Sequence, residues 1–484
     1  MSLVTPAATP RGGGGFSAPA PLVARLGAAL ASRGVSYCQW KGHGKRERWE
    51  SGRGDIDLLV ASPSYADFVD IVTDLGFKLA LPPEGREAAG IVHYFGLDER
   101  TGRLIHLHVY QRLVIGLPWR THYRLPLERA LLESAQDRGD SGGAVFKTPA
   151  PELELIVAVL RLSLRHMVRD AVRRTSPGWL AGALNEVDRL EEQVAPDLVV
   201  AALHRHLPDV SGSLYSRCRD SLLPGRSPWR RILAATMLAR ALSAHASRPP
   251  VFALLERTWR RVRPLGGQRL ASGGSVVALL GGDGSGKSTC ADALEAWLES
   301  SLATLHVHMG RPPRSLATFL AGGLLKLMRR TPASPRVIAH FALLRLAATA
   351  RDRYVLYRRA RRFAAAGGIA ICERYPLPEG WALAGPSEAQ GSARDAQSRL
   401  ATRIRAWERR LYERMATPDV LFLLRLDPET AVSRKPSEPA DYVRERARKT
   451  AETDWSKSGA RIIDAAQPLP QVVATLKAEL WSTL

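Results

Sequence analysis

The chain of 484 residues lacks the features of a membrane protein or a disulfide-linked scaffold. Its four cysteines (Cys38, Cys218, Cys290 and Cys372) lie far apart in the sequence and form no C-x-x-C pair. Neither a disulfide framework nor a zinc ribbon is therefore expected. The first residues contain no apolar signal-peptide core, and no uninterrupted apolar run approaches the ~18 residues of a membrane span. We therefore expect a cytoplasmic protein without a transmembrane segment.

Acidic residues are few relative to basic ones. The chain has 69 Lys and Arg against 47 Asp and Glu, which gives a formal net charge of +22. A charge of this size is compatible with nucleic acid, an anionic membrane or phosphorylated ligands as partners. The basic residues are spread along the chain and lack interleaved aromatic residues, so they give no strong evidence for nucleic acid. Solvated helix faces and phosphorylated ligands are the interpretations that the pattern favours.

The length predicts several domains, and the residue pattern predicts where they lie. We expect a disordered Pro/Gly-rich tail (1–20), a small α/β module (21–115), a helical region (116–262), a Gly/Ser linker (263–275) and a second α/β module (276–484). Strands alternate with helices in the last module, which predicts a parallel sheet with helices on both faces.

A phosphate-binding pattern opens the second α/β module. Gly281 and Gly286, followed by Lys287 and Ser288, match G-x-x-x-x-G-K-[ST] between an apolar strand and an amphipathic helix. Glycines let the backbone N–H groups wrap around phosphates at the helix N-terminus. Lys287 is expected to reach the β- and γ-phosphates, and Ser288 to hold Mg²⁺ through its hydroxyl. The pattern predicts ATP and Mg²⁺ as cofactors, bound by Gly281, Gly282, Asp283, Gly284, Ser285, Gly286, Lys287, Ser288 and Thr289.

Two stretches resemble thymidylate kinases and related nucleoside monophosphate kinases. GGDGSGKST is similar to the loop of that family, and GGIAICERYPL is similar to the strand that ends there in Asp-Arg-Tyr or Asp-Arg-Phe. The triplet in this chain is Glu373-Arg374-Tyr375. The resemblance implies that Glu373 serves Mg²⁺ and the acceptor side, and we expect Arg374 to stabilise the transferring phosphoryl group. A structural ion pair is the alternative interpretation of Glu373 and Arg374.

The segment RKPSEPADYVRERARK (434–449) resembles the lid of the same family. The loop carries no basic residue between Asp283 and Gly286, so charge that neutralises the transferring phosphoryl group is expected from elsewhere. The candidates are Arg434, Arg444, Arg446 and Arg448, of which one or two would carry the role.

The acceptor side departs from thymidylate kinases. Their Arg-Glu-Pro-Gly element after the second strand meets the acceptor phosphate, and the nearest match in this chain is GRPPRS. Arg311 or Arg314 is therefore the candidate acceptor-binding residue. PLPEGWALAGPSEAQ (376–390) replaces the family's thymine-reading Ser-x-x-Ala-Tyr-Gln helix. We expect a small-molecule acceptor other than dTMP, with an authentic dTMP or nucleoside monophosphate kinase as the alternative.

The first α/β module contains a second pattern, YCQWKGHGKRERWESGRGDIDLLV. Asp55 and Asp57 alternate on a strand, so both carboxylates face the same side. A D-x-D pair after a Gly-containing turn resembles the two-Mg²⁺ site of polymerase-β-type nucleotidyltransferases. Lys41, Gly42 and Arg53 match a family of nucleotidyltransferase-like proteins with the same arrangement.

A later V-D-L-H element supplies a third carboxylate in that family. This chain reads LIHLHVY, so His106 stands where the family has Asp, and His108 matches the family's His. Imidazole is a poor ligand for hard Mg²⁺. Three interpretations stay open: an inactive nucleotide-binding or scaffolding module, a working transferase with a different metal at Asp55, Asp57 and His106, and an ordinary strand edge with hydrogen-bonded histidines.

Together the patterns predict an α/β multidomain protein: a nucleotidyltransferase-like module, a helical middle and a C-terminal P-loop kinase domain. The expected function is Mg·ATP-dependent phosphoryl transfer to a small molecule. A non-catalytic ATP-binding regulatory protein with an inactive first module is the alternative. The apolar stretch SLATFLAGGLLKLMRR (315–330) has basic flanks and is compatible with a membrane surface or a helix of the kinase. The resemblance also allows a homodimer, although no residue pattern indicates an interface.

Overall fold

The structure is a computed structural model that describes residues 19–42, 46–83, 90–116, 122–137, 145–165, 178–223, 225–246, 267–332, 334–379 and 398–484. The chain divides into two compact units, Met1–Phe77 with Ala88–Arg257 and Lys78–Glu87 with Thr258–Leu484. All of the predicted tail except Pro19 and Ala20 lies outside the described residues. The same holds for most of the segment 376–390, which was expected to replace the thymine-reading helix, and for the first residues of the predicted linker.

The elements are numbered in chain order. The strands are β1 Tyr37–Gln39, β2 Ile56–Val60, β3 Lys78–Leu81, β4 Ile91–Asp98, β5 Arg103–Tyr110, β6 Val114–Gly116, β7 His122–Arg124, β8 Arg269–Leu270, β9 Ser275–Gly281, β10 Thr304–His308, β11 Ile369–Glu373, β12 Val420–Arg425 and β13 Arg461–Asp464. The helices are α1 Pro21–Ser32, α2 Arg46–Glu50, α3 Tyr65–Asp74, α4 Glu128–Glu133, α5 Pro151–Arg165, α6 Gly178–Glu191, α7 Pro196–His206, α8 Gly212–Leu222, α9 Pro228–Ala241, α10 Lys287–Glu299, α11 Leu316–Arg330, α12 Pro335–Ala365, α13 Arg399–Glu413, α14 Pro428–Ser433, α15 Ala440–Glu452 and α16 Leu469–Thr483.

The first unit contains a mixed sheet with strand order β1-β2-β5-β4. β2 runs parallel to β5, whereas β1 and β4 are antiparallel to their neighbours. The register places Asp57 opposite His108 on β5, and His108 opposite His93 on β4. Because side chains alternate along each strand, these three residues share one face of the sheet.

Helix α5 is the centre of the helical part of the first unit. It begins at Pro151, and Leu153 and Val157 are among its core residues. The residues between them, such as Leu155 and Ile156, are buried as well. Helices α6, α7, α8 and α9 all pack against α5, which explains why most of its side chains are buried.

The second unit is built on a parallel sheet with strand order β10-β11-β9-β12-β13. The parallel arrangement confirms the prediction for this part of the chain. On one face Val276 and Ala278 of β9 pack with Leu356 and Ala360 of α12. The alternate residues of β9 are equally buried, and α10 contacts β9, β10 and β11 while α16 contacts β12 and β13. A sheet enclosed in this way collects polar groups at the carboxyl ends of its strands.

Part of the predicted linker is a strand. β8 lies within residues 263–275 and pairs antiparallel with β3, and β9 begins at Ser275. A two-residue strand is too short to produce a periodic pattern, so the Gly- and Ser-rich composition dominated the sequence-based prediction.

The four cysteines are free and buried. No helix in the described part of the chain combines the length and the apolar character that crossing a membrane requires. Helix α11 packs on α12 with Leu325 buried, but its residues Leu316, Phe319 and Leu320 are more than half exposed.

Gly274, just before β9, provides a test of the sheet packing in the second unit. A Cβ at this position would lie 1.8 Å from the carbonyl oxygen of Gly368, which is backbone and cannot rotate away. We expect Gly274→Ala to lower the free energy of unfolding by about 1–3 kcal/mol. The measurement is the urea midpoint of the full chain.

Gly322 is the matched control, because it lies within α11 and a Cβ there meets no atom within 4 Å. Gly322→Ala should raise the free energy of unfolding by up to about 1 kcal/mol through helix propensity. Equal midpoints for the two variants would contradict the close approach of the backbones at Gly274.

Candidate functional site

The loop between β9 and α10 can be built only with glycine at its turning points. Gly281, Gly284 and Gly286 have φ values of +148°, +85° and +84°. A Cβ at Gly281 or Gly284 would lie 2.6 Å from a carbonyl oxygen, that of Leu424 or Ala431 respectively. Gly286 is the N-cap of α10 and supplies no side-chain hydrogen bond, so the N-terminal N–H groups and the positive end of the helix dipole face the loop. This arrangement is suited to binding an anion.

Lys287 places its ammonium group inside this loop. The side chain is buried, and Nζ donates a hydrogen bond of 2.6 Å to the carbonyl oxygen of Gly282. Burial and the nearby guanidinium of Arg374 lower the pKa of Lys287 to about 8, with Asp283 acting in the opposite direction. Further negative charge in the loop would therefore stabilise the charged form of Lys287.

Ser288 and Glu373 meet where α10 begins and β11 ends. The Ser288 hydroxyl donates a 2.6 Å hydrogen bond to Oε2 of Glu373, whose residue is 3% exposed. The hydroxyl and the carboxylate that were expected to serve Mg²⁺ are therefore adjacent. Both are oxygen donors, which suits a hard cation.

His306 of β10 occupies the other side of the same carboxylate. Its Nε2 lies 2.9 Å from Oε1 of Glu373, and its Nδ1 lies 3.0 Å from Oε2 of Glu295 on α10. Sequence reasoning missed His306, although it lies on a predicted strand next to β11. The signal available was the alternation of two histidines, His306 and His308, towards the carboxyl end of that strand.

The pKa values of Glu373 and His306 are shifted in opposite directions. Burial raises the pKa of Glu373, but the hydrogen bonds from His306 and Ser288 outweigh it and bring the pKa to about 2. The hydrogen bond to Glu373 raises the pKa of His306, burial opposes it, and Glu295 adds to the increase. The pair is therefore charged over a wider pH range than the isolated groups.

Arg374 and Arg446 both bind Asp283 of the loop. Nη2 of Arg374 donates to Oδ1 of Asp283, and Nε of Arg446 lies 2.8 Å from Oδ2. Burial raises the pKa of Asp283, but Arg374, Arg446 and Lys287 together lower it below its usual value. Asp283 thus remains ionised and holds a guanidinium from the end of β11 and another from α15 at the loop.

Arg374 adopts a backbone conformation that is unfavourable for a residue with a side chain. Its φ is +54°, the one positive φ among non-glycine residues in the described ranges. Such conformations cost about 1–3 kcal/mol and concentrate at functional positions. The conformation is stabilised by a 3.1 Å hydrogen bond from the Arg374 N–H to the carbonyl of Leu279.

The other predicted lid arginines have different partners. Arg434 donates to the carbonyl oxygen of Ala465 at 2.9 Å. Arg444 pairs with Glu429 and Asp441, and Arg448 pairs with Glu445. Of the four, Arg446 is the arginine that the structure brings to the loop.

The candidate acceptor residues Arg311 and Arg314 are exposed on the segment after β10. Buried Arg353, which sequence reasoning also missed, holds this segment by donating to the carbonyl oxygens of Met309 and Gly310. The segment lies close to Arg374. A Cβ added to Gly310 would be only 2.4 Å from Cδ of the Arg374 side chain. The segment that carries Arg311 and Arg314 and the loop therefore lie at the same edge of the sheet.

The first unit brings Asp55 and Asp57 to one sheet face, as their spacing predicts. Oδ1 of Asp55 lies 2.9 Å from Nδ1 of His106, and Oδ1 of Asp57 lies 3.2 Å from Nδ1 of His108. Lys41 also reaches Asp57, with 2.9 Å between Nζ and Oδ1. Each carboxylate thus pairs with its own histidine.

The surroundings of Asp57 keep it ionised. Burial raises its pKa, but Lys41 and His108 outweigh burial and hold the pKa well below the usual range. Tyr110 donates a further hydrogen bond to the same carboxylate at 3.1 Å. Of the other matched residues, Gly42 donates its N–H to Glu186, and Arg53 is exposed.

His93 of β4 completes a cluster that the sequence did not predict. Its Nδ1 lies 3.2 Å from Nε2 of His106, and its ring packs edge-on against His108 with 4.8 Å between centroids. Burial lowers the pKa of His93 to about 3, and the neighbouring imidazoles contribute to the decrease. His93 is therefore a neutral ring at physiological pH.

No protein-family model matches the chain. Over 221 residues the chain is 24% identical to the uncharacterized ATP-binding protein YghS of Escherichia coli (strain K12). The match covers 42% of this chain and 91% of that protein.

The Glu373–His306 pair gives a titration test. Because the folded pKa of His306 is raised, its contribution to stability is present below the unfolded pKa and lost as pH rises through the folded value. We expect His306 to titrate above the ordinary pKa of histidine in the wild type and at lower pH in Glu373→Gln. The measurement is a histidine NMR titration, with the resonance assigned from His306→Gln. An unchanged midpoint in Glu373→Gln would show that the pair does not form.

Proposed function

We propose that the second unit binds Mg·ATP in the loop between β9 and α10 and transfers its γ-phosphoryl group to a small molecule other than dTMP. The observation that carries the proposal is the 2.6 Å hydrogen bond between Ser288 and Glu373, beside the buried ammonium of Lys287. These are the groups that a metal-bound triphosphate requires. The similarity to a protein named as ATP-binding supports the choice of nucleotide.

Different groups of the site bind the phosphates and the metal ion of the donor. The N-terminal N–H groups of α10 and the ammonium of Lys287 bind the phosphates, and Ser288 with Glu373 holds Mg²⁺. The bound Mg²⁺ would neutralise charge on the phosphates. His306 positions Glu373 and keeps its carboxylate ionised through the 2.9 Å contact between Nε2 and Oε1.

Arg374 and Arg446 provide positive charge for the transferring group. Both are held at the loop by Asp283, so they need little reorganisation to stabilise a transition state. Arg311 and Arg314 lie on the neighbouring segment, and we assign the acceptor to that side. Phosphoryl transfer needs positioning and charge rather than a protein nucleophile, which these side chains provide.

The first unit is, on this proposal, a nucleotidyltransferase-like module fused to the kinase. Its D-x-D face and the Lys41–Asp57 contact support the resemblance. A chain that binds ATP but turns over no acceptor would instead favour the regulatory alternative.

Lys287→Ala should abolish ATP-dependent phosphorylation, because it removes the ammonium inside the loop. The assay is ATP consumption over a panel of nucleoside monophosphates, sugars and polyols. Lys457→Ala is the control, since Lys457 is exposed and outside the loop. Equal turnover of an acceptor by Lys287→Ala and the wild type would refute the kinase proposal.

Arg446→Ala should lower kcat by about 10²–10³, the loss typical of removing one donor that stabilises developing charge. Lys449→Ala on the same helix is the matched control, because Lys449 pairs with Glu445 rather than with the loop. It should retain wild-type kcat. Similar losses in both variants would show that α15 acts through its overall charge and not through the Asp283 contact.

A further inference from the structure

Three imidazoles converge on one face of the sheet in the first unit. His106 and His108 come from β5, and His93 comes from β4, where it lies opposite His108. One nitrogen from each ring lies within 4.8 Å of a nitrogen from each of the others. The stacking of Phe95 on His106, with 4.2 Å between centroids, fixes the orientation of that ring.

The two carboxylates lie behind the rings. An ionised carboxylate only accepts hydrogen bonds, so the contacts to Asp55 and Asp57 place a proton on Nδ1 of His106 and His108. Nε2 of each ring is then the atom with a lone pair. Metal-binding histidines characteristically donate their second N–H to a carboxylate in this way.

We propose that His93, His106 and His108 form a three-histidine site for a Zn²⁺-class divalent cation, with Asp55 and Asp57 as the hydrogen-bond partners of the ligands. Metal–nitrogen distances of about 2.0–2.1 Å in a tetrahedral site put ligand nitrogens about 3.3 Å apart. The distance between Nδ1 of His93 and Nε2 of His106 is 3.2 Å.

The ligand chemistry separates this site from a two-Mg²⁺ site on the carboxylates. Imidazole nitrogen suits Zn²⁺ and its neighbours, whereas Mg²⁺ requires oxygen. Asp57 already accepts contacts from Lys41, His108 and Tyr110. Three protein ligands leave a fourth position of a tetrahedral ion, and the partly exposed side chains of His106 and His108 allow solvent to reach it.

His93 is the residue that distinguishes the two sites, because a carboxylate site for Mg²⁺ makes no use of it. The test uses the full chain purified without a histidine tag, stripped with chelator and titrated with Zn²⁺ in the presence of excess Mg²⁺. We expect one tightly bound zinc per chain by elemental analysis. The Co²⁺-substituted protein should show the visible absorption of a tetrahedral nitrogen site.

His93→Ala and His108→Ala should each weaken Zn²⁺ binding by more than about 100-fold, and Asp55→Asn by about 10–100-fold. His204→Ala, an exposed histidine of α7, is the matched control and should retain the zinc. Circular dichroism in chelator establishes that each variant is folded. If His93→Ala is not folded, His93→Gln takes its place.

Absence of tight zinc in the wild type would overturn the proposal. So would zinc that survives in His93→Ala and His108→Ala but is lost in His306→Ala. That result would place the ion at the Asp292–Glu295–His306 group of the second unit instead.

Discussion

The carboxylate of Glu373 is the point on which the candidate active site depends. It accepts a hydrogen bond from Ser288 at the start of α10 and contacts His306 of β10, so one side chain joins three elements at the carboxyl edge of the sheet. Burial alone would raise its pKa and favour the neutral acid. The two polar contacts reverse this effect, and the site keeps a negative charge among the cations Lys287 and Arg374.

Asp283 plays the corresponding part on the loop. Its two oxygens hold Arg374 and Arg446, which come from distant parts of the chain. This ion-pair network explains how a loop without a basic residue between Asp283 and Gly286 has guanidinium groups beside it. The unfavourable backbone of Arg374 is consistent with the same arrangement, since the end of β11 must turn sharply to place that side chain at the loop.

The two units use pairs of carboxylate and imidazole for different purposes. In the second unit His306 orients a carboxylate whose oxygens suit Mg²⁺. In the first unit the relation is reversed: Asp55 and Asp57 orient imidazoles whose remaining nitrogens suit Zn²⁺. The histidine found where the resemblance expects a third carboxylate therefore has a physical explanation that does not require loss of function.

Local patterns in the sequence were enough to predict the glycine-dependent loop, the shared face of Asp55 and Asp57, and the parallel sheet of the second unit. Each depends on residues a few positions apart, where backbone periodicity determines which way side chains point. The tertiary structure alone decided that His306 contacts Glu373, that Arg446 rather than Arg444 reaches Asp283, and that His93 joins His106 and His108. Those contacts depend on strand register and helix packing between distant segments, which leave no periodic signal in the sequence.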